Sequence, residues 1–356
     1  MDTKSQRKVS PIDRAWSTTQ IMANLAKALV SDGPALGFGA VTSTEVESKT
    51  AVLVTSTGST GANKEIALTA SAVLASAKAA NKYLGAHFGE TWSLLLPLTH
   101  IAAVNVLVRS LELGTIPLDL VGHSGEFPKV DYTAIVPTQL YNSLNGDERL
   151  LKHLQGAKAV LVGGAALTSE LEAQATAAGI NVVTTYGMSE TSGGCVYNGE
   201  PLEGVQVAIT DSGFIKVSGP VLASDLELDA QSYFVTNDRG ELIAGRLKVL
   251  GRGDDVIISG GENISLSEIE SAISHSFANF EFAAFAVSSD KWGQELHIAA
   301  VNAPAEFSAR VEGILVEKFG NAAKPKGFHQ LTALPLIGIG KVDRRVLAQL
   351  AMKSEL

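Results

Sequence analysis

The sequence predicts an α/β protein: a large N-terminal domain with a parallel-rich sheet and a β-rich subdomain, then a small mobile α+β C-terminal domain. Three observations predict it. Between residues 51 and 195, apolar strand candidates alternate with helical stretches, the pattern of strands joined by crossovers. From 196 to 253 the texture changes to short alternating segments separated by Gly, Asn and Asp turns. The glycine- and charge-rich stretch Gly251–Asp255 then marks a hinge, and a compact mixture of helix and strand follows it. The expected division is 1–253, made of a reduced N-terminal part (1–50), an α/β core (51–195) and the β-rich subdomain (196–253), followed by 254–356.

Taken in order, residues 1–50 show little periodicity beyond a short helix candidate from Ile21 to Val30. Ala51–Val54 is an apolar strand that leads into a Gly/Ser/Thr loop, and a helix-like segment runs from Glu65 to Leu84. Strands are expected at Thr91–Leu96, Ile116–Leu120, Tyr132–Val136, Ala159–Val162 and Ile180–Thr185. Helices are expected at His100–Leu111, after Pro137, whose fixed φ suits a first helical turn, and at Thr168–Ala178, ending at Gly179. In the C-terminal part the pattern gives helices at Ser265–Ser274 and Ser308–Phe319, with strands near Phe282–Val287 and Leu296–Val301.

Composition narrows the function. At 356 residues and 46% hydrophobic, the chain can bury a large core. A net charge of −9 argues against a general nucleic-acid surface. The lone Cys195 rules out an intrachain disulfide and a thiolate zinc site. No apolar run approaches the ~20 residues of a membrane helix, and the basic start leads into polar residues rather than a signal core, so a cytoplasmic enzyme without membrane insertion is expected. Nothing here fixes oligomeric state, and a homo-oligomer stays open.

The chemistry concentrates in seven stretches. Thr57, Gly58, Ser59, Thr60, Gly61 and, after Ala62 and Asn63, Lys64 form a loop suited to phosphates: glycines let the backbone approach, hydroxyls donate and the lysine adds charge. It is not a Walker loop, since the second glycine would fall at Asn63. Pro97-Leu-Thr-His100-Ile-Ala-Ala103 places a histidine at a helix start. Val162-Gly-Gly-Ala-Ala-Leu167, including Gly164 and Ala165, is a small-residue strand-to-helix turn on which a flat ligand can lie. Thr185-Tyr-Gly-Met-Ser-Glu-Thr191 offers the Tyr186 ring for stacking on a base, Gly187, the Ser189 hydroxyl for a phosphate, and the Glu190 carboxylate as a hard ligand for Mg²⁺. A hydrolase elbow is the weaker reading of that stretch, because Thr191 stands where its second glycine would be. Asp238 ends Phe234-Val-Thr-Asn-Asp and by itself reads as a turn residue, and Arg252 lies in Leu250-Gly-Arg-Gly-Asp-Asp255. Val256-Ile-Ile-Ser-Gly-Gly-Glu-Asn-Ile-Ser265 reads as a hairpin with Gly260 and Gly261 at its tip. Lastly, Gly338-Ile-Gly-Lys341-Val-Asp-Arg-Arg345 carries a lysine on a glycine-flanked loop.

Together these stretches resemble the adenylate-forming acyl- and aryl-CoA ligases, from about residue 51 to 350. The loop at Thr57–Lys64 resembles their S/T-G-S/T-T-G-x-P-K signature, with Asn63 in the place of proline. Residues 135–144 and 161–191 look most like the members that act on o-succinylbenzoate in menaquinone synthesis. The resemblance implies ATP, Mg²⁺ and coenzyme A as cofactor and co-substrates, a small carboxylic acid as partner, and reaction through an acyl-adenylate. It implies that Lys341 is the catalytic lysine, that Glu190 holds the metal, that Gly164 and Ala165 meet the adenine, that Asp238 accepts from the ribose hydroxyls and that Arg252 approaches ribose or phosphate. It further implies that His100 and Gly187 line the acyl pocket, that Gly260 and Gly261 let the pantetheine arm pass, and that Asp254 is the hinge. Arg109 is the candidate cation for a second carboxylate. It lies about 13 Å of helix rise from His100, so a solvated helix residue is an equal reading.

Overall fold

The computed structural model describes residues 5–57, 63–259, 262–277, 280–289, 292–337 and 341–352. Its centre is a seven-stranded sheet. Four strands lie side by side and parallel: Trp92–Leu94, Tyr132–Ile135, Ala159–Val162 and Val182–Met188. Leu118–Asp119 adds a parallel edge, while Gly193–Tyr197 and Glu200–Pro201 continue the other side antiparallel. Parallel neighbours require crossovers, which the helices Ile101–Glu112, Pro137–Leu144, Glu148–Gly156 and Ser169–Ala177 supply. Parallel strands covered by helices bury both faces, and Ala159–Val162 and Tyr132–Ile135 are buried at every residue.

A second sheet of five strands uses the first 50 residues. Gln6–Pro11, Ala35–Phe38 and Thr50–Thr57 run parallel, flanked by antiparallel Glu45–Glu47 and Asn63–Thr69. The short helix expected near Ile21 is present as Thr18–Leu29, capped by Ser17. Arg7 explains how so polar a stretch is held. Its buried guanidinium donates to three carbonyls, Gly33 O, Thr50 O and Ala28 O, at 2.8–2.9 Å.

One expectation is corrected. The segment from Glu65 is not helical at its start. Asn63–Thr69 is a strand paired antiparallel with Thr50–Thr57, and the helix is Ala70–Leu84. Ile66 and Leu68 alternate inward, which suits a strand as well as a helix, and pairing with the preceding strand decides it. Thr69 then caps the helix by accepting from Ala72 N at 3.1 Å. The Gly/Ser/Thr loop therefore joins two strands of a hairpin and does not open a helix.

The β-rich stretch is an antiparallel sheet, Gln206–Ile209, Phe214–Ser218, Phe234–Ile243 and Arg246–Arg252. Beyond it, Val256–Ser259 and Glu262–Ser265 form the expected hairpin, followed by helices Leu266–Ser274 and Phe307–Phe319, strands Phe282–Ser289, Gly293–Val301 and Gly327–Leu331, and the helix Arg344–Met352. The fold is thus α/β, with a large N-terminal part and a small α+β C-terminal part. The core cluster reaching from Ile21 to Leu247 shares no residue with the one that begins at Ile257. Among the described residues, no helix is long and apolar enough to cross a membrane.

Candidate active site

Four adjacent parallel strands end on one edge of the central sheet, and each is followed there by a stretch singled out from sequence. After Trp92–Leu94 comes Pro97–His100, and after Ala159–Val162 come Gly163, Gly164 and Ala165. After Tyr132–Ile135 the chain turns at Pro137, and Val182–Met188 carries Tyr186 and Gly187 and ends at the 3-10 turn Ser189–Thr191. In open α/β sheets, ligands bind in the crevice beyond the carboxyl ends of the strands. The geometry therefore gathers residues as far apart as Pro97 and Thr191 onto one rim.

The phosphate-type hairpin reaches the same rim. Ala223 N donates to Glu190 O at 2.8 Å, and the next amide, Ser224 N, donates to Ala67 O of the hairpin's second strand at 3.3 Å. On the other side, a Cβ on Gly39 would lie 2.1 Å from Thr55 Oγ1 and 3.2 Å from Thr99 O, so only glycine lets the hairpin's first strand and the Pro97–His100 loop approach this closely. Thr57 has its backbone at the strand end and Lys64 is exposed at the stem. Gly58, Ser59, Thr60 and Gly61 lie outside the described residues.

Tyr186 sits at a β-bulge between Tyr186 and Gly187, which redirects side chains at the strand end. Its hydroxyl donates to Asp238 Oδ2 at 2.9 Å. Burial, with the Asp238 charge beside it, pushes the phenol up from its ordinary value, so Tyr186 stays a neutral donor. Asp238 is held in turn by Thr236, whose Oγ1 accepts from Asp238 N at 3.1 Å, and Arg252 is its cross-strand partner. The loop after Val162 reaches the same place, since Thr185 Oγ1 donates to Val162 O at 3.4 Å. Tyr186 and Asp238 are thus in contact, Arg252 stands across from Asp238, and the strand that leads into the Gly164–Ala165 turn is bonded to the residue before Tyr186.

Ser189 is buried and Glu190 half-buried. No donor or cation among the described residues pairs with the Glu190 carboxylate, and none forms a cluster of three metal-ligating side chains. One available carboxylate beside a hydroxyl-rich hairpin fits Mg²⁺ that arrives on a nucleotide, because that ion takes few protein ligands and uses phosphate oxygens. His100 occupies the N-cap position of Ile101–Glu112 without a side-chain cap bond, and its Nδ1 meets Thr99 Oγ1 at 2.7 Å.

Arg109 is not a solvated helix residue. It is 3% exposed, its Nη2 donates to Tyr197 Oη at 2.8 Å, and its guanidinium lies 5.1 Å from the Trp92 ring. Its Nε has no partner, and no carboxylate among the described residues reaches it. Burial alone lowers its pKa, opposed only by Tyr197. Trp92 opens its strand, so Arg109 lies toward the amino end of the sheet, away from the rim that His100 occupies. Sequence reasoning missed Tyr197 and Trp92 here; spacing carries no sign of them.

In the C-terminal part, Lys341 pairs through its backbone with Ile337, Asp254 lies in the 3-10 turn Gly253–Asp255, and the Lys341 and Asp254 side chains and Gly260–Gly261 lie outside the described residues.

Comparison with known proteins decides the family. The model of the AMP-binding enzyme family matches residues 4–249, well over half of the chain. The chain belongs to the AMP-binding enzymes. A relative from Mycobacterium tuberculosis, named a probable 2-succinylbenzoate–CoA ligase, is 36% identical over 330 residues, covering 86% of this chain and 85% of its own. Among solved structures, ATP-bound MatB from Rhodopseudomonas palustris superposes with TM-score 0.76 at 19% identity, covering 97% of this chain and 84% of that one. The o-succinylbenzoate–CoA synthetase MenE from Bacillus subtilis, in complex with its acyl-adenylate, gives 0.72 at 22% identity, covering 95% and 82%. This AMP-binding enzyme therefore shares their fold, and its chemistry belongs to AMP-forming acyl-CoA synthesis.

Proposed function

We propose that this AMP-binding enzyme joins o-succinylbenzoate to coenzyme A at the expense of ATP. The observation that carries the reading is the rim: four candidate stretches at the carboxyl ends of neighbouring parallel strands, with the Thr57–Lys64 hairpin joined to Glu190 through Ala223 and Ser224. Family membership and the relative's name supply the reaction class and the acid.

In the first step a carboxylate oxygen of the acid attacks the α-phosphorus of ATP, the bond to the bridging oxygen breaks, and pyrophosphate leaves. Thr57–Gly61 and Lys64 hold the phosphate chain, Ser189 donates to it, and Lys341 opposes the charge that builds on its oxygens. Glu190 would hold Mg²⁺, which when bound neutralises phosphate charge. Tyr186 stacks on the adenine above the Gly164–Ala165 turn, Asp238 accepts from the ribose hydroxyls, and Arg252 approaches ribose or phosphate. In the second step the thiol sulfur attacks the acyl carbonyl carbon and AMP leaves with the electron pair of the C–O bond. Gly260 and Gly261 leave room for the pantetheine arm. The unit after 253 turns about Asp254 between the steps. His100 and Gly187 line the acyl pocket, whereas Arg109, enclosed by Trp92 and Tyr197 toward the amino ends of the strands, does not reach it. The reaction is placed in the cytoplasm, which supplies both ATP and coenzyme A.

The test is a panel of acids with ATP and coenzyme A, read as AMP and thioester. o-Succinylbenzoate should turn over at least tenfold better, by kcat/KM, than benzoate or a fatty acid, and His100→Ala should reduce that margin. Equal turnover of a monocarboxylic acid would assign the enzyme to another branch of the acyl-CoA ligases.

A further inference from the structure

The turn that carries Glu190 ends in an unfavourable backbone conformation. Ser192 has φ 52° and ψ 33°, the left-handed region that a residue with a Cβ adopts reluctantly. Three groups hold it there. Asn105 Nδ2, from the helix that His100 opens, donates to Ser192 O at 2.8 Å. Ser76 Oγ, from the helix that follows the phosphate-type hairpin, donates to the same oxygen at 3.1 Å. Ser192 Oγ in turn donates to Val221 O at 2.7 Å, two residues before the amide that holds Glu190 O. Ser76, Asn105 and Ser192 are all at most 1% exposed. The turn is also latched from within: Thr191 Oγ1 accepts from Met188 N at 2.9 Å and donates to Gly193 O at 2.7 Å. Gly193 leaves room for Asn105, since a Cβ there would lie 1.9 Å from Asn105 Nδ2.

We propose that Asn105 and Ser76 are positioning residues for Glu190: by clamping the Ser192 carbonyl they fix the turn that aims the Glu190 carboxylate at the metal on the bound nucleotide. Neither touches substrate. This rests on the reading of Glu190 as the metal-holding carboxylate. The turn spans only Ser189–Thr191, so a change of φ at Ser192 re-aims Glu190 two residues away. The clamp joins three parts of the rim at one backbone oxygen, because its two donors stand on the helices behind the hairpin and behind the acyl-pocket loop.

The experiment measures ATP binding by calorimetry without acid or coenzyme A, once in chelator and once at saturating Mg²⁺. The ratio of the two affinities is the gain contributed by the metal. Asn105→Ala should lose about tenfold of that gain, the usual effect of removing a group that orients a metal ligand, and Ser76→Ala less. Metal-free ATP affinity should stay within about twofold of the parent. A merely structural role would lower both affinities together, and that result overturns the proposal. Glu190→Gln is run alongside. If it keeps the gain, the metal reading of Glu190 falls and takes the clamp's purpose with it. If it loses the gain while both clamp variants keep it, the clamp alone is refuted. Should Asn105→Ala lose its cooperative melting transition, Ser76→Ala, the smaller deletion, decides by the same two affinities.

Discussion

Arg344→Ala should cost the C-terminal part a large share of its stability. Arg344 opens the last helix, three residues after Lys341, and ties it to the rest of that part. Its Nη2 donates to both Glu270 oxygens at 2.8 Å, its Nη1 to Asp255 Oδ1 at 3.1 Å, and its Nε to Ala284 O at 2.8 Å. Burial pushes the Glu270 carboxyl up, and the Arg344 guanidinium pulls it back. Removing one partner of a fully buried pair costs about 3–5 kcal/mol, because the other charge is stranded. Here the two side chains remain 28% and 26% exposed, so water relieves part of the loss, and about 2 kcal/mol is expected. For a unit of roughly 100 residues that lowers the melting temperature by about 8–16 °C. Calorimetry at pH 7.5 and 4.5 checks both size and origin. Without Arg344, the folded pKa of Glu270 rises further above its unfolded value. Glu270 then destabilises the variant where it must be charged, above that folded pKa, and ceases to do so once protonated in both states. The deficit should therefore shrink as the pH falls. Arg344→Ala/Glu270→Gln, which removes the Glu270 charge together with its cation, should recover part of the loss at pH 7.5. An unchanged melting temperature, or a deficit equal at both pH values with no recovery in the double variant, would refute the reasoning.

Tyr186→Phe keeps the ring and removes the donor to Asp238, so KM for ATP should rise about tenfold, the lower end for one hydrogen bond to a charged group at a half-buried site, with kcat nearly unchanged; steady-state kinetics at varied ATP checks it. The Cys195 thiol is fully buried and pushed up to about 12, so a thiol reagent at pH 8 should leave the native enzyme unmodified and label it once in denaturant, as intact mass would record. Glu90 is held at about 2 by Lys158, the His87 amide and Tyr132, a depressed carboxylate whose stabilisation is present above its unfolded pKa and lost as pH falls through the folded one. Glu90→Gln should therefore unfold earlier in urea at pH 7, and the difference should vanish near pH 2.

Much of the fold was legible because the central strands leave little choice. Ala159–Val162 is a run of four apolar residues between a helix end and a glycine pair, and its bounds match those expected. Tyr132–Ile135 with the Pro137 helix start, and the Gly-Gly hairpin at 256–265, are equally local. Ambiguity enters where two periods fit. Glu65-Ile-Ala-Leu-Thr69 satisfies both a helix and a strand, and the partner strand Thr50–Thr57 settles it. The helix Glu148–Gly156, which Asp147 caps and whose Leu150 and Leu154 face inward, has no clear period in the sequence, because the stretch is short and otherwise polar. The first 50 residues hide their strands for a related reason: Gln6–Pro11 is polar by composition, and what buries Arg7 is three carbonyls that no sequence pattern announces.

The same distinction holds at the site. Residue types that touch a ligand are conspicuous, because phosphates ask for glycines and hydroxyls and a metal asks for a carboxylate. What such a residue needs behind it is not conspicuous, since a backbone oxygen accepts from any donor that arrives. Asn105 and Ser76 lie 29 residues apart on helices that would read the same with alanine in either place, and they matter only because both reach Ser192 O. Arg109 inverts the case. It was conspicuous as a cation, but its sequence setting fitted solvent as well as a pocket, and only enclosure by Trp92 and Tyr197 removes the solvated reading. An unpaired charge kept at 3% exposure must be offset by something, and within the fold that something is an aromatic face and a phenol. Neither carries a full negative charge, and both stand toward the amino end of the central strands, so Arg109 is packed into the core away from the rim.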